Sequence, residues 1–226
     1  MSVSRFLVEN NGSNPDAIKL AFSQAYSQCI SAGLSNITLV FPTKGTFKTS
    51  DIANFVGDAA AKALFKGLSV NLGDGIQLTF DIPKNINSFS SHGVVLATYL
   101  TDKDMDIVDS INNVNSIVFL PWLEKDGKRW LSTWKPQIVG TSSWTTSSES
   151  LPENVQEVIL KLGRCINMST GLSHPSDKEM EKKLFTDLRK QGCSTSSELI
   201  RQFSVNNGWE PCRAEELAQF ASKYIE

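Results

Sequence analysis

Residues 36–66 read NITLVFPTKGTFKTSDIANFVGDAAAKALFK, and this stretch decides the fold. Ile37, Leu39, Val40 and Phe41 make an apolar, largely β-branched run broken only by Thr38, which suits a strand covered on both faces of a sheet. Pro42 ends the strand because it has no N–H to give a central ladder. Thr43, Lys44, Gly45 and Thr46 follow as a polar turn, with Thr49 or Ser50 as N-cap of a helix opening at Asp51. Ile52, Phe55, Val56, Ala59, Ala60, Ala63 and Leu64 recur at helical spacing, so one helix is predicted up to a C-terminal Gly67, with this face on the sheet.

The same alternation runs outward in both directions. Residues 5–9 (RFLVE) predict a first strand. Asn14 caps a helix with Pro15 at its first position and Ile18, Phe22, Ala25, Tyr26, Cys29 and Ile30 on its apolar face. Downstream, Gly73, Asp74 and Gly75 mark a hairpin between residues 69–72 and 76–80, and residues 83–88 are irregular. Residues 93–99 and 116–120 predict two more buried strands, with a helix capped by Thr101 or Asp102 between them. A short helix over 126–134 and a last strand over 137–140 complete the series. The predicted fold is α/β, a Rossmann-like three-layer arrangement with a mostly parallel, possibly mixed, sheet over residues 1–140.

Residues 141–151 form a Ser/Thr-rich linker, and 152–226 predict an all-helical subdomain. Its helices are a first over 152–168, a second opened by a capping box at Ser176 and Glu179, a third opened by one at Thr195 and Glu198, and a last beginning at Pro211. Gly171 to Lys178 (GLSHPSDK), with Asn207-Gly208-Trp209, Glu216-Leu217-Ala218 and the Pro121-Trp122 pair after a strand, resembles a family of uncharacterised bacterial proteins that join an N-terminal α/β region to such a tail. The resemblance implies no activity and supplies no catalytic residues.

Length and composition narrow the function classes. A chain of 226 residues, 40% hydrophobic and 20% charged, buries a substantial core. Its formal net charge of −2 gives no support for a nucleic-acid or anionic-membrane surface. The last two helices, joined around Gly208, have the layout of a helix-turn-helix. Over 176–226, however, eight Lys/Arg face nine Asp/Glu, the wrong balance for a DNA reader. No apolar run reaches a membrane span, and the N-terminus leads into no signal-peptide core. Cys29, Cys165, Cys193 and Cys212 are scattered without a CxxC, which predicts reduced thiols in a cytoplasmic protein, with a Cys193–Cys212 pair the alternative.

Candidate sites follow from the predicted sheet, because ligands of open α/β sheets sit beyond the carboxyl ends of the strands. Thr43, Lys44, Gly45 and Thr46 lie there, where turn amides and a lysine suit an anion, although neither phosphate-loop pattern is present and an ordinary exposed turn fits as well. Tyr99 and Trp122 end two other strands and belong to the same edge. Trp122, Trp130 and Trp134 form either an aromatic wall for a ring-bearing ligand or packing beneath a short helix. His92 and His174 have no GxSxG elbow or third group with which to build a nucleophile, and the scattered histidines and cysteines predict no metal site. The sequence therefore predicts binding of a small anionic or nucleotide-like ligand at the sheet edge, with the cofactor and any reaction unspecified. The alternative is a non-catalytic module that docks a protein partner or its own copy through the helical tail.

Overall fold

The structure is a computed structural model that describes residues 3–86, 92–145, 149–166 and 174–225. It divides into two compact units, Met1–Thr146 and Ser147–Glu226. The described residues of the first form a seven-stranded mixed sheet of order β3-β4-β2-β5-β6-β1-β7. The strands are β1 (Ser4–Leu7), β2 (Asn36–Val40), β3 (Val70–Gly73), β4 (Ile76–Asp81), β5 (Gly93–Thr98), β6 (Val114–Leu120) and β7 (Gln137–Ile138). Every pairing is parallel except the β3–β4 hairpin, which turns at Asp74 and Gly75 with positive φ.

Side-chain alternation sorts the central strands onto two faces. Phe6, Val118, Leu96 and Leu39 stand in register across β1, β6, β5 and β2 and belong to one core. Their neighbours Leu7, Phe119, Ala97 and Val40 form the matching row in the other. A slip of one residue would exchange the rows, so the pattern fixes the register. Leu39 and Leu96 are fully buried, and truncating such a leucine to alanine costs about 2–5 kcal/mol.

Helices cover both faces. On the first lie α1 (Pro15–Ser31), α2 (Lys44–Phe47), α3 (Asp51–Val56) and α4 (Asp58–Phe65), which bury Ile18, Phe47, Ile52 and Leu64. Asn14 caps α1 by accepting from the amides of Asp16 and Ala17. On the second face lie α5 (Asp102–Asp109) and α6 (Glu124–Trp134), with Met105, Val108, Trp130 and Leu131 inward. Thr101 and Asp104 close a capping box on α5.

Three local expectations change. The helix predicted from Asp51 to Lys66 is two helices, because Gly57 adopts φ +88° and ψ 152° between them, a region essentially restricted to glycine. Within α3, Phe55 is exposed and pairs with Phe22 at 5.0 Å, while Ala53 is buried. The predicted polar turn at Thr43 to Thr46 carries the single turn of α2, with Thr43 as its N-cap. Ile30, predicted on the apolar face of α1, is half exposed, and Ala17 and Ala21 are buried instead.

The second unit consists of α7 (Glu153–Cys165), α8 (Pro175–Lys190), α9 (Ser197–Asn206) and α10 (Pro211–Ile225) among its described residues. Phe185, Ile200, Leu217 and Ala221 are fully buried. Both predicted capping boxes are displaced. Pro175 takes the first position of α8, where its fixed φ suits the helix start, so His174 is the N-cap and Ser176 Oγ pairs with His174 Nδ1 at 2.7 Å. In α9 the cap is Ser196, which accepts from the Leu199 amide, and not Thr195, whose N–H goes to the Ile225 carbonyl. Gly171, Leu172 and Ser173 of the GLSHPSDK stretch lie outside the described residues. The four cysteines are all free thiols.

Candidate functional site

The chain leaves neighbouring strands on opposite faces at two places. β2 leads into α2 and α3 on the first face, whereas the adjacent β5 leads into α5 on the second. Similarly β1 leads into α1 while the adjacent β6 leads into α6. Crevices at the carboxyl ends of parallel strands open at such switch points. Tyr99, directly after β5, and Trp122, shortly after β6, stand between the two.

Tyr99 is the pivot of this edge. Its backbone N–H donates to the Leu120 carbonyl at 2.8 Å, continuing the β5–β6 ladder. Its φ is +60°, a left-handed value that is costly for a bulky side chain and characteristic of positions held by their surroundings for a purpose. That turn lays the ring between Phe41 and Trp122, with centroids 5.8 and 4.8 Å away, both edge-on. It also aims the hydroxyl at Asp51, where it donates to Oδ2 at 3.0 Å. Ser13 Oγ donates to the same oxygen at 2.7 Å. Burial and the Asp51 carboxylate push the Tyr99 phenol well above the usual tyrosine range, so it keeps its proton to donate to Asp51.

Trp122 is 40% exposed although one side of its indole rests on Tyr99, so ring surface remains open to solvent. Its carbonyl accepts from the Gly12 amide at 2.7 Å. Asn10, itself buried, donates through Nδ2 to the carbonyls of Gly12 and Pro121 at 2.8 Å each. These bonds tie the loop after β1 to the loop after β6, and Ser13 in the first of these loops reaches Asp51.

The other predicted residues are placed differently. Thr43, Lys44, Gly45 and Thr46 are exposed at the end of β2. Thr43 Oγ1 accepts from the Thr46 amide at 3.1 Å and contacts Thr46 Oγ1 at 2.7 Å. The turn thus satisfies its own amide, and Lys44 is the member of the quartet that offers a charge. Of the three tryptophans expected to form an aromatic wall, Trp122 alone stands at the rim. Trp130 and Trp134 donate their indole N–H groups to Asp109 Oδ2 at 2.8 and 2.9 Å, beneath α6. Arg5 completes that cluster, with Nε 3.1 Å from Asp109 Oδ1 and its guanidinium over the Trp134 ring. Burial raises the Asp109 carboxyl, while Arg5 and the two indoles pull it back.

Apart from α2, which opens with Lys44, the helices that follow β2, β5 and β6 on this rim begin with carboxylates: Asp51 on α3, Asp102 and Asp104 on α5, and Glu124 and Asp126 on α6. Asp102 pairs with Arg129 at 3.1 Å. Such a rim accepts hydrogen bonds from a ligand more readily than it offers them. His92 is buried ahead of β5 in the sheet unit, and His174 is an exposed cap in the helical unit. Among the described residues no helix is long and apolar enough to cross a membrane.

Residues 151–225 match the family model described as Domain of unknown function (DUF1889), consistent with the expected uncharacterised family for the helical tail. No curated protein and no solved structure matches the chain.

Proposed function

We propose that the protein binds a small, hydroxylated, ring-bearing ligand of the nucleoside or nucleotide class at the carboxyl edge of its sheet. Trp122 is the ring platform, Asp51 accepts ligand hydroxyls, and Lys44 on the neighbouring turn is the charge available to a phosphate. The observation that carries the reading is Tyr99. A buried tyrosine holds a left-handed backbone and in doing so fixes both the Asp51 carboxylate and the Trp122 ring. The two points where adjacent parallel strands send the chain to opposite faces support the location, and the scattered cysteines without a CxxC support a cytosolic setting.

The docking alternative has less behind it. Among the described residues the exposed large hydrophobics are Leu20, Ile30, Phe55, Leu68, Trp122 and Leu123, all in the sheet unit and none in the tail.

Thermal unfolding across nucleosides, nucleotides, sugar phosphates and organic acids tests the proposal. A ligand at about 100 times its Kd adds roughly 2.7 kcal/mol, and each kcal/mol moves Tm by roughly 2–4 °C at this size. A shift given by a nucleoside or nucleotide is expected. A panel in which neither gives a shift contradicts the proposal.

A further inference from the structure

The break at Gly57 that separates α3 from α4 opens a pocket of about 520 Å³ on the first face, a volume typical of small-molecule sites. Its floor is apolar, with Ala53, Ala61 and Phe65 contributing. Its walls carry three ammonium groups, Lys48, Lys62 and Lys66, against one carboxylate, Asp58. Lys48 Nζ lies 4.0 Å over the Phe65 ring, which holds one charge at the apolar floor. None of the three lysines forms a salt bridge among the described residues. A local excess of unpaired positive charge around apolar surface stands out in a chain whose net charge is −2.

We propose that this pocket is a second ligand site, independent of the strand edge, which takes a small amphipathic anion: a carboxylate or phosphate head on an aryl or short acyl body. The body covers Phe65 and Ala61, and the head sits among Lys48, Lys62 and Lys66. The apolar floor disfavours a bare inorganic anion, which would gain the charges but leave the floor in water. The three lysines disfavour an uncharged hydrocarbon, because each ammonium would lose hydration without a partner. Lysine ammoniums act as point charges rather than planar forks, so they recognise the charge of the head and are tolerant of its shape.

The experiment titrates anilinonaphthalene sulfonate, a fluorescent amphipathic anion, into the full chain and then displaces it with phenyl phosphate, octanoate and inorganic phosphate. The expected result is saturable binding, displaced by phenyl phosphate or octanoate but not by inorganic phosphate at the same concentration. The double variant Lys62→Gln/Lys66→Gln changes two exposed side chains and is expected to weaken the probe by about tenfold or more, with wild-type binding falling as salt rises. Ala61→Phe, which fills the floor, is expected to weaken it through the apolar half with the lysines intact. Trp122→Ala leaves this binding unchanged, which separates the pocket from the strand edge. Wild-type affinity in the lysine double variant, or loss of the probe in Trp122→Ala with retention in the lysine variant, overturns the proposal. The relative displacement by phenyl phosphate and octanoate names the preferred head.

Discussion

The hydroxyl of Tyr99 donates to Asp51 Oδ2 at 3.0 Å across 48 residues of sequence, joining the end of β5 to the first residue of α3. Ser13 donates to the same oxygen, so the carboxylate is held from two loops at once. Tyr99→Phe removes one of these donors and keeps the ring stack. It should lower stability by about 0.5–1.5 kcal/mol in chemical denaturation, the net worth of such a bond. Because the ring still supports Trp122, ligand binding at the edge should weaken rather than vanish in the same variant.

Asp109 holds a different cluster together. Three donors, Arg5 Nε and the indoles of Trp130 and Trp134, converge on a carboxylate whose side chain is 2% exposed. Asp109→Ala strands a part-buried guanidinium and two N–H groups, and a loss of about 3–5 kcal/mol is expected from denaturant unfolding. Asp109→Asn keeps one acceptor for the indoles and should lose less. Equal losses would show that the charge of Asp109 carries the whole effect and the retained acceptor none of it.

Glu181 in α8 makes the helical tail sensitive to alkali. Both carboxyl oxygens are buried without a hydrogen-bond partner among the described residues. Burial raises its pKa to about 8 from 4.5, against the opposing pull of Lys178 and Lys223 and with a push from Glu216. The folded protein therefore keeps a proton that the unfolded chain releases between these two values. Stability is full below about pH 4.5 with respect to this group and falls as pH rises through 8. Glu181→Met should flatten this part of the pH profile and raise stability at pH 8 by about 1–3 kcal/mol, the cost of an orphaned buried polar group. Thermal unfolding at several pH values checks both.

Much of the sheet is legible in the sequence because β2, β5 and β6 are buried on both faces, and a strand so placed must be apolar throughout. Interruptions in the helices are harder to read. Gly57 sits in a run of helix formers, and only the backbone shows that it has left the helical region. The caps of α8 and α9 moved because Pro175 and Ser196 outcompete the Ser176 and Thr195 patterns nearby. Tyr99 and Trp122 are legible at the edge because each closely follows a buried strand in sequence. Asp51, in contrast, reads in sequence only as a charge suited to a helix start, since its partners Ser13 and Tyr99 lie 38 and 48 residues away. The split at Gly57 hides the lysine pocket as well. Trp130 and Trp134 did carry a signal, four residues apart on one helical face, that both point inward.

In the proposed function, Trp122 and Asp51 belong to one ligand site. Isothermal titration of the strongest nucleoside or nucleotide from the thermal panel into wild type, Trp122→Ala and Asp51→Asn tests it most directly. Each single variant is expected to weaken binding by about tenfold or more, roughly 1.4 kcal/mol, while Lys62→Gln/Lys66→Gln binds as wild type. Wild-type affinity in both Trp122→Ala and Asp51→Asn would contradict it.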